Sequence, residues 1–274
     1  MSSDVTTVIE AKTGWQIIDL KELVEYRDLF LFLVWRDIKV LYAQTILGFL
    51  WAILQPLTQI LIFTIIFGRV AKIPTDGIPY FLFTTVAIIP WTFMSQAMTQ
   101  SSESLVSGQN ILGKIYFPRL IFPLTAVFSK LVDFSISLLI VFAAILYYKV
   151  IPTWSLLFLP IFILLMISVS AGVGMLMSSM AIRYRDVRYA MGFVLRMLMY
   201  SAPIVYSAST IPEKWRLIYS LNPIVGTVEG FRACLLGLPI PWEYIYPGII
   251  TATALLFFGA FYFRRMERVI VDVI

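Results

Sequence analysis

The stretch VLYAQTILGFLWAILQPLTQILIFTIIFG, residues 40–68, contains no charged side chain. A helix needs about 20 apolar residues to cross the ~30 Å hydrocarbon layer of a bilayer, so this run is long enough to span one. Residues 77–102, 150–182 and 244–263 are also free of charge. Two further apolar segments carry charges inside them: 120–148 holds Lys130 and Asp133, and 189–206 holds Arg196. The expected fold is therefore all-α and integral to a membrane, with six transmembrane helices over residues 40–265. Residues 1–39 would form a cytoplasmic tail and an interfacial helix, and 266–274 a second cytoplasmic tail.

Composition points the same way. Of 274 residues, 60% are apolar and 14% charged, against roughly half and a quarter in soluble domains. There is no His and a single Cys, Cys234. That excludes His-based acid/base catalysis, Ser-His-Asp triads, CxxC redox pairs and Cys/His zinc cages. The net charge of +5 is read as a record of which loops stay in the cytoplasm rather than as a nucleic-acid surface. With both termini inside, thirteen Lys and Arg fall on the inner face and six outside, and the clusters RYRDVR (183–188) and RRMER (264–268) abut span ends. Residues 1–30 mix acids and bases without the continuous apolar core of a signal peptide.

Two segments read as partly embedded. Residues 15–39 place Leu23, Tyr26, Phe30 and Leu33 at helical spacing among charges, the pattern of an amphipathic helix lying on the membrane surface. Residues 207–243 are too rich in Pro and charge to span and too apolar for a plain loop. They read as two short helices broken at Asn222-Pro223, forming a re-entrant hairpin, which is tolerated in lipid only where it is buried in protein or faces a water-filled cavity.

GQNILGKI, residues 108–115, has the glycine and lysine spacing of a phosphate-binding P-loop but Ile115 where Ser or Thr must reach Mg²⁺. A P-loop also follows a strand, whereas this segment follows a membrane span, so ATP binding is rejected. What remains is a short cytoplasmic helix over about Glu103–Ile111, a turn at Gly113, and Pro118 opening the third span.

Several motifs together, WRDIKVLYAQTILGFLWAILQPL (35–57), NILGKIYFPRLIFPL (110–124), RYRDVRY (183–189) and IYSLNPIVGTVEGFR (218–232), resemble the transmembrane subunit of ABC-2 type polysaccharide exporters. The likeness covers about residues 30–265 and is greatest to permeases for O-antigen, capsule or teichoic acid chains. It implies a homodimeric permease in the bacterial cytoplasmic (inner) membrane, seated on two copies of an ABC ATP-binding subunit that holds Mg-ATP, with no cofactor in this chain and a lipid-linked polysaccharide as cargo. Residues 103–119 would then be the coupling segment, with Glu103, Leu105, Gln109, Asn110, Lys114 and Arg119 meeting the ATPase.

A hydrophilic glycan needs a lined route. Gln55, Thr58 and Gln59 on the first span, Trp91, Phe93 and Gln96 on the second, and Tyr200 and Tyr206 on the fifth are the candidates. Aromatic faces accept a sliding polymer without one fixed hydrogen-bond pattern, as they accept successive bases in single-strand grooves. The same Gln and Thr residues equally serve to tie helices together, and the Trp and Tyr to mark the membrane interface. Arg196, about 12 Å into its span at helical rise, is expensive there unless it faces a polar cavity, snorkels or pairs. With Arg183, Arg185 and Arg188 it is the candidate site for a lipid pyrophosphate, since the guanidinium fork matches phosphate oxygens. Lys130 and Asp133, three apart on one helix, are expected to neutralise each other, and Ser170, Gly174 and Ser178 to mark close helix packing. The alternatives are an ABC-2 permease for a drug or lipid and a membrane-embedded glycosyl or phosphoryl transferase. The second needs acids gathered at one face, whereas Asp76, Glu213, Glu229 and Glu243 are scattered through the outer loops.

Overall fold

The computed structural model describes residues 20–43, 45–109, 117–151 and 153–273, without the side chains of residues 20 and 268–273. Every regular element among the described residues is helical. Two helices, α1 (Leu20–Glu25) and α2 (Arg27–Tyr42), separated only at Tyr26, stand in place of a single amphipathic helix ending at residue 39. α2 thus runs three residues into the charge-free stretch. The chain turns extended at Ala43 (ψ 137°) and passes through a left-handed Gly48 (φ 49°), a conformation that favours glycine. Only then does the first membrane helix begin, as a 3₁₀ turn at Gly48–Leu50, α3 (Trp51–Phe63) and a π-helical stretch at Thr64–Val70.

α4 (Tyr80–Ser107), α5 (Ile121–Tyr147), α6 (Leu159–Arg183), α7 (Asp186–Ser201), α8 (Glu213–Ser220), α9 (Pro223–Leu236) and α10 (Trp242–Val273) follow. Five helical segments are long and apolar enough to cross a membrane: Gly48–Val70, Tyr80–Ser107, Ile121–Tyr147, Trp154–Arg183 and Trp242–Glu267. The expected span over 189–206 is instead the 16-residue α7, about 24 Å long at helical rise, followed by a non-helical, mostly buried stretch from Ala202 to Ser207. α7 starts beside the end of α6. After it, the Val205 carbonyl accepts the Tyr80 hydroxyl at 2.7 Å, and Ser209 donates to Asp76 at 3.0 Å, both at the far end of the bundle.

α4 is the hub, packing on α3, α5, α6, α7 and α9. Within its membrane window 78% of residues are buried, against 11% for the α3 segment, so α4 forms the core and α3 the rim. Small residues let the helices close in. Gly174 of α6 sits against Ser101 of α4, with Ser170 and Ser178 buried on either side. Gly172 of α6 meets the backbone of α10 at Leu255 and Gly259. In lipid, where apolar helices gain nothing by leaving solvent, such close backbone approach is a main source of association.

α8 and α9 break at Asn222-Pro223. Asn222 Oδ1 accepts from the Ile224 N–H at 3.1 Å, capping α9, and Pro223 opens it. α9 is buried along most of its length, against α4, α6 and α10.

Candidate functional site

Three groups of the expected residues lie in three different settings. At the end of the bundle that holds Arg119, Glu103 and Leu105 are not on a separate short helix: α4 continues through them to Ser107, because nothing before Gly108 breaks it. Glu103 and Gln109 are exposed, while Leu105 is fully buried in the core. Asn110 and Lys114 lie outside the described residues. Arg119 donates from its backbone N–H to Glu267 Oε1 (3.4 Å) and from Nη1 to the Glu267 carbonyl (3.1 Å), while Arg264 donates to Glu267 Oε2 at 2.7 Å. Arg119 therefore ties the start of the third membrane helix to the end of α10.

Halfway into the bundle from that end, the end of α2, the start of α3, and α4 and α5 line a partly open cavity of about 190 Å³, with Trp51 and Gln55 at its exposed edge. Three of the expected lining residues meet there: Gln55, Phe93 and Gln96. Gln96 Nε2 donates to Gln55 Oε1 at 3.3 Å. Phe93 is buried, edge-on to Phe134 with ring centroids 5.6 Å apart. The expected neutralisation of Lys130 by Asp133 holds, at 3.1 Å, and both line the same cavity. Tyr42 donates to the other oxygen of Asp133, fastening α2 to α5. The Ser137 hydroxyl donates to the Ala52 carbonyl at 2.8 Å, fastening α3 to α5.

The remaining lining candidates are elsewhere. Thr58 donates back to the Leu54 carbonyl at 2.7 Å, and the Gln59 amide lies 4.0 Å from Met199 Sδ on α7. Trp91 is 4% exposed and belongs to the core. Tyr200 is exposed near the far end of the bundle, where its carbonyl accepts the Tyr206 hydroxyl (3.4 Å); Tyr206 in turn accepts from Tyr219 (3.3 Å). Burial, reinforced by the Tyr206 hydroxyl, pushes the Tyr219 phenol far above its ordinary range, so it stays protonated.

Arg183, Arg185, Arg188 and Arg196 are all exposed. Val187, Met191 and Leu195 form the buried stripe of α7 at helical spacing, and Arg188 and Arg196 lie off it. Arg183 stacks on the Tyr184 ring, 5.4 Å from its centroid.

Sequence reasoning missed a buried cation at the Tyr80 end. Arg232, assigned by position to an outer loop, is 2% exposed. It pairs with Glu229, donates from Nη2 to the Pro203 carbonyl at 2.6 Å, and lies 3.7 Å from the centre of the Phe83 ring. Three elements are pinned by one side chain: α9, the exit of α7 and the start of α4. The i,i+3 spacing of Glu229 and Arg232 was the signal available.

Residues 28–236 match the ABC-2 type transporter family profile. The chain is 27% identical over 241 residues to an O-antigen export system permease protein RfbA of Klebsiella pneumoniae, covering 88% of this chain and 92% of that protein. It is 26% identical over 216 residues to RfbA of Myxococcus xanthus, covering 78% and 82%. Polysialic acid transport protein KpsM of Escherichia coli is 24% identical over 255 residues, covering 88% and 87%. The chain belongs to the ABC-2 type transporter family.

Proposed function

We propose that this chain is the membrane permease of an exporter that carries a lipid-linked polysaccharide across the bacterial cytoplasmic membrane, working as a homodimer on two ATP-binding subunits. The observation that carries the reading is the similarity, along nearly the whole chain, to relatives whose names specify export or transport of a glycan. The geometry supports it: α3 and α4 bring the amides of Gln55 and Gln96 together within two apolar membrane-length helices, where polar side chains are retained mainly for packing or for a polar path.

In this reading the chain crosses the membrane six times, α7 and the stretch to Ser207 making the fifth passage, with both termini in the cytoplasm. Support comes from the contacts of Val205 and Ser209 with Tyr80 and Asp76, at the opposite end of the bundle from Arg183. α8 and α9 then form the re-entrant hairpin on the outer side. Glu103, Gln109, Asn110, Lys114 and Arg119 form the surface that meets the ATP-binding subunit, with Leu105 holding it from inside. Arg183, Arg185, Arg188 and Arg196 face the cytoplasmic leaflet and attract the pyrophosphate of the carrier lipid. Energy arrives by differential coupling: a subunit without a nucleotide site changes state only through a partner that favours one state over the other.

The test is deletion of the gene in its own host. Surface glycan is expected to disappear while lipid-linked polymer accumulates in the cytoplasm, with recovery on re-expression of the chain. Normal surface glycan in the deletion strain overturns the reading.

A further inference from the structure

A threonine inside a membrane helix normally satisfies its hydroxyl by donating to the carbonyl one turn earlier. On α4, Thr84, Thr85 and Thr99 do this, reaching Tyr80, Phe81 and Ser95 at 2.7, 2.6 and 2.8 Å. Thr92 does not. Its Oγ1 is buried and unpaired among the described residues, behind the wall of the cavity between α2, α3, α4 and α5 that Thr92 helps to line. A buried polar atom left unpaired is costly in an apolar medium, and a polar guest that shifts this wall relieves that cost.

The other walls specify the guest. Gln55 and Gln96 each offer an amide with donor and acceptor capacity beyond their mutual bond. Trp51, Phe93 and Phe134 offer aromatic surface. Lys130 and Asp133 neutralise each other, so the site selects neither a phosphate nor a free cation. Its volume of about 190 Å³ is below the ~300–1,000 Å³ typical of pockets for drug-sized ligands. Neutral hydroxylated character, flat apolar walls and this size together describe one pyranose ring.

We propose that the cavity is a binding site for a single sugar ring of the cargo, its hydroxyls on Gln55 and Gln96, its C–H face on the aromatic wall, and the Thr92 hydroxyl behind the wall pairing as the ring seats. The site rests on the reading that the cargo is a glycan, and it places a sugar contact within each protomer, on the α5 side of α3. Tyr42, through Asp133, makes the position of α2 part of the shape of the site.

The probes are the methyl pyranosides of glucose, galactose, mannose and N-acetylglucosamine, with open-chain sorbitol as control. Saturation-transfer NMR is recorded on the full chain in nanodiscs. At least one pyranoside is expected to show transfer above sorbitol, reduced at least tenfold by Ala52→Leu, which fills the cavity, and at least threefold by Thr92→Val, which keeps its shape. No pyranoside above sorbitol, or an undiminished signal in a correctly inserted Ala52→Leu protein, overturns the site. If Ala52→Leu fails to insert, an undiminished signal in Thr92→Val does so alone. Gene deletion separates the two readings: loss of surface glycan without pyranoside binding removes the site and leaves the transport function standing.

Discussion

A buried charge is informative because it is tolerated only when everything around it is arranged for it. Arg232 meets a carboxylate, a backbone carbonyl and an aromatic face, with only Nε left unpaired among the described residues. Removing one partner of such a pair leaves the other charge buried and alone, at about 3–5 kcal/mol. Arg232→Ala is therefore expected to lower the thermal unfolding midpoint of the detergent-solubilised protein by on the order of 10 °C. Replacing both partners, with Arg232→Met and Glu229→Leu, should fall less far than either single change, because no orphan charge remains. An unchanged midpoint in Arg232→Ala would show that α9, Pro203 and Phe83 hold together without it. In sequence Arg232 looks like any outer-loop cation, since depth below a surface is set by α4 and α6, both distant in the chain. Lys130 and Asp133 were legible for the opposite reason: their partners are on the same helix, three residues apart.

Elements were legible where one local signal decides them. Absence of charge over a membrane's thickness located four of the five long helices, and apolar length located the fifth despite Lys130 and Asp133; Asn222-Pro223 located the break between α8 and α9, because a capping side chain and a proline act within one turn. Their limits were less legible. The first charge-free run is shared between α2 and α3, and the extended Ala43 and left-handed Gly48 mark the division. α4 absorbs residues 103–107 of the expected coupling helix because its run of Ser, Gln and Thr is polar yet carries no breaker. The small-residue row on α6 was visible, but its partners were not. Gly172 and Gly259 face each other with backbone against backbone, and a side chain on either has nothing flexible to push aside. Gly259→Val is expected to part α6 from α10 at a cost of about 3 kcal/mol, read as loss of the monodisperse peak in size-exclusion chromatography after mild heating. Gly192→Ala, on α7 with nothing within 4 Å of the new methyl, should instead gain about 0.5–1 kcal/mol from helix propensity. Equal behaviour of the two variants would mean that the α6–α10 crossing does not depend on close backbone approach.

At the scale of the whole molecule, everything turns on whether α7 carries the chain across. Composition alone placed a span at 189–206, and the helix that forms there ends at Ser201, short of the length a straight span needs. In the proposed six-span reading the remaining distance is covered by Ala202 to Ser207, whose non-helical backbone is mostly buried in the protein. That is the condition under which irregular structure persists at membrane depth. A passage built this way puts residue 184 and residue 210 on opposite faces, and both are exposed. The single native cysteine allows a direct test, because burial pushes the Cys234 thiol up to about 11, leaving little reactive thiolate at neutral pH. Thr210→Cys should react with a membrane-impermeant maleimide on intact spheroplasts, Tyr184→Cys only after permeabilisation, and the parent chain in neither case. Labelling of both variants under the same condition would mean that α7 returns to the side it left. The molecule would then cross five times, its termini would lie on opposite sides, and Arg232 would pin a structure on the cytoplasmic face.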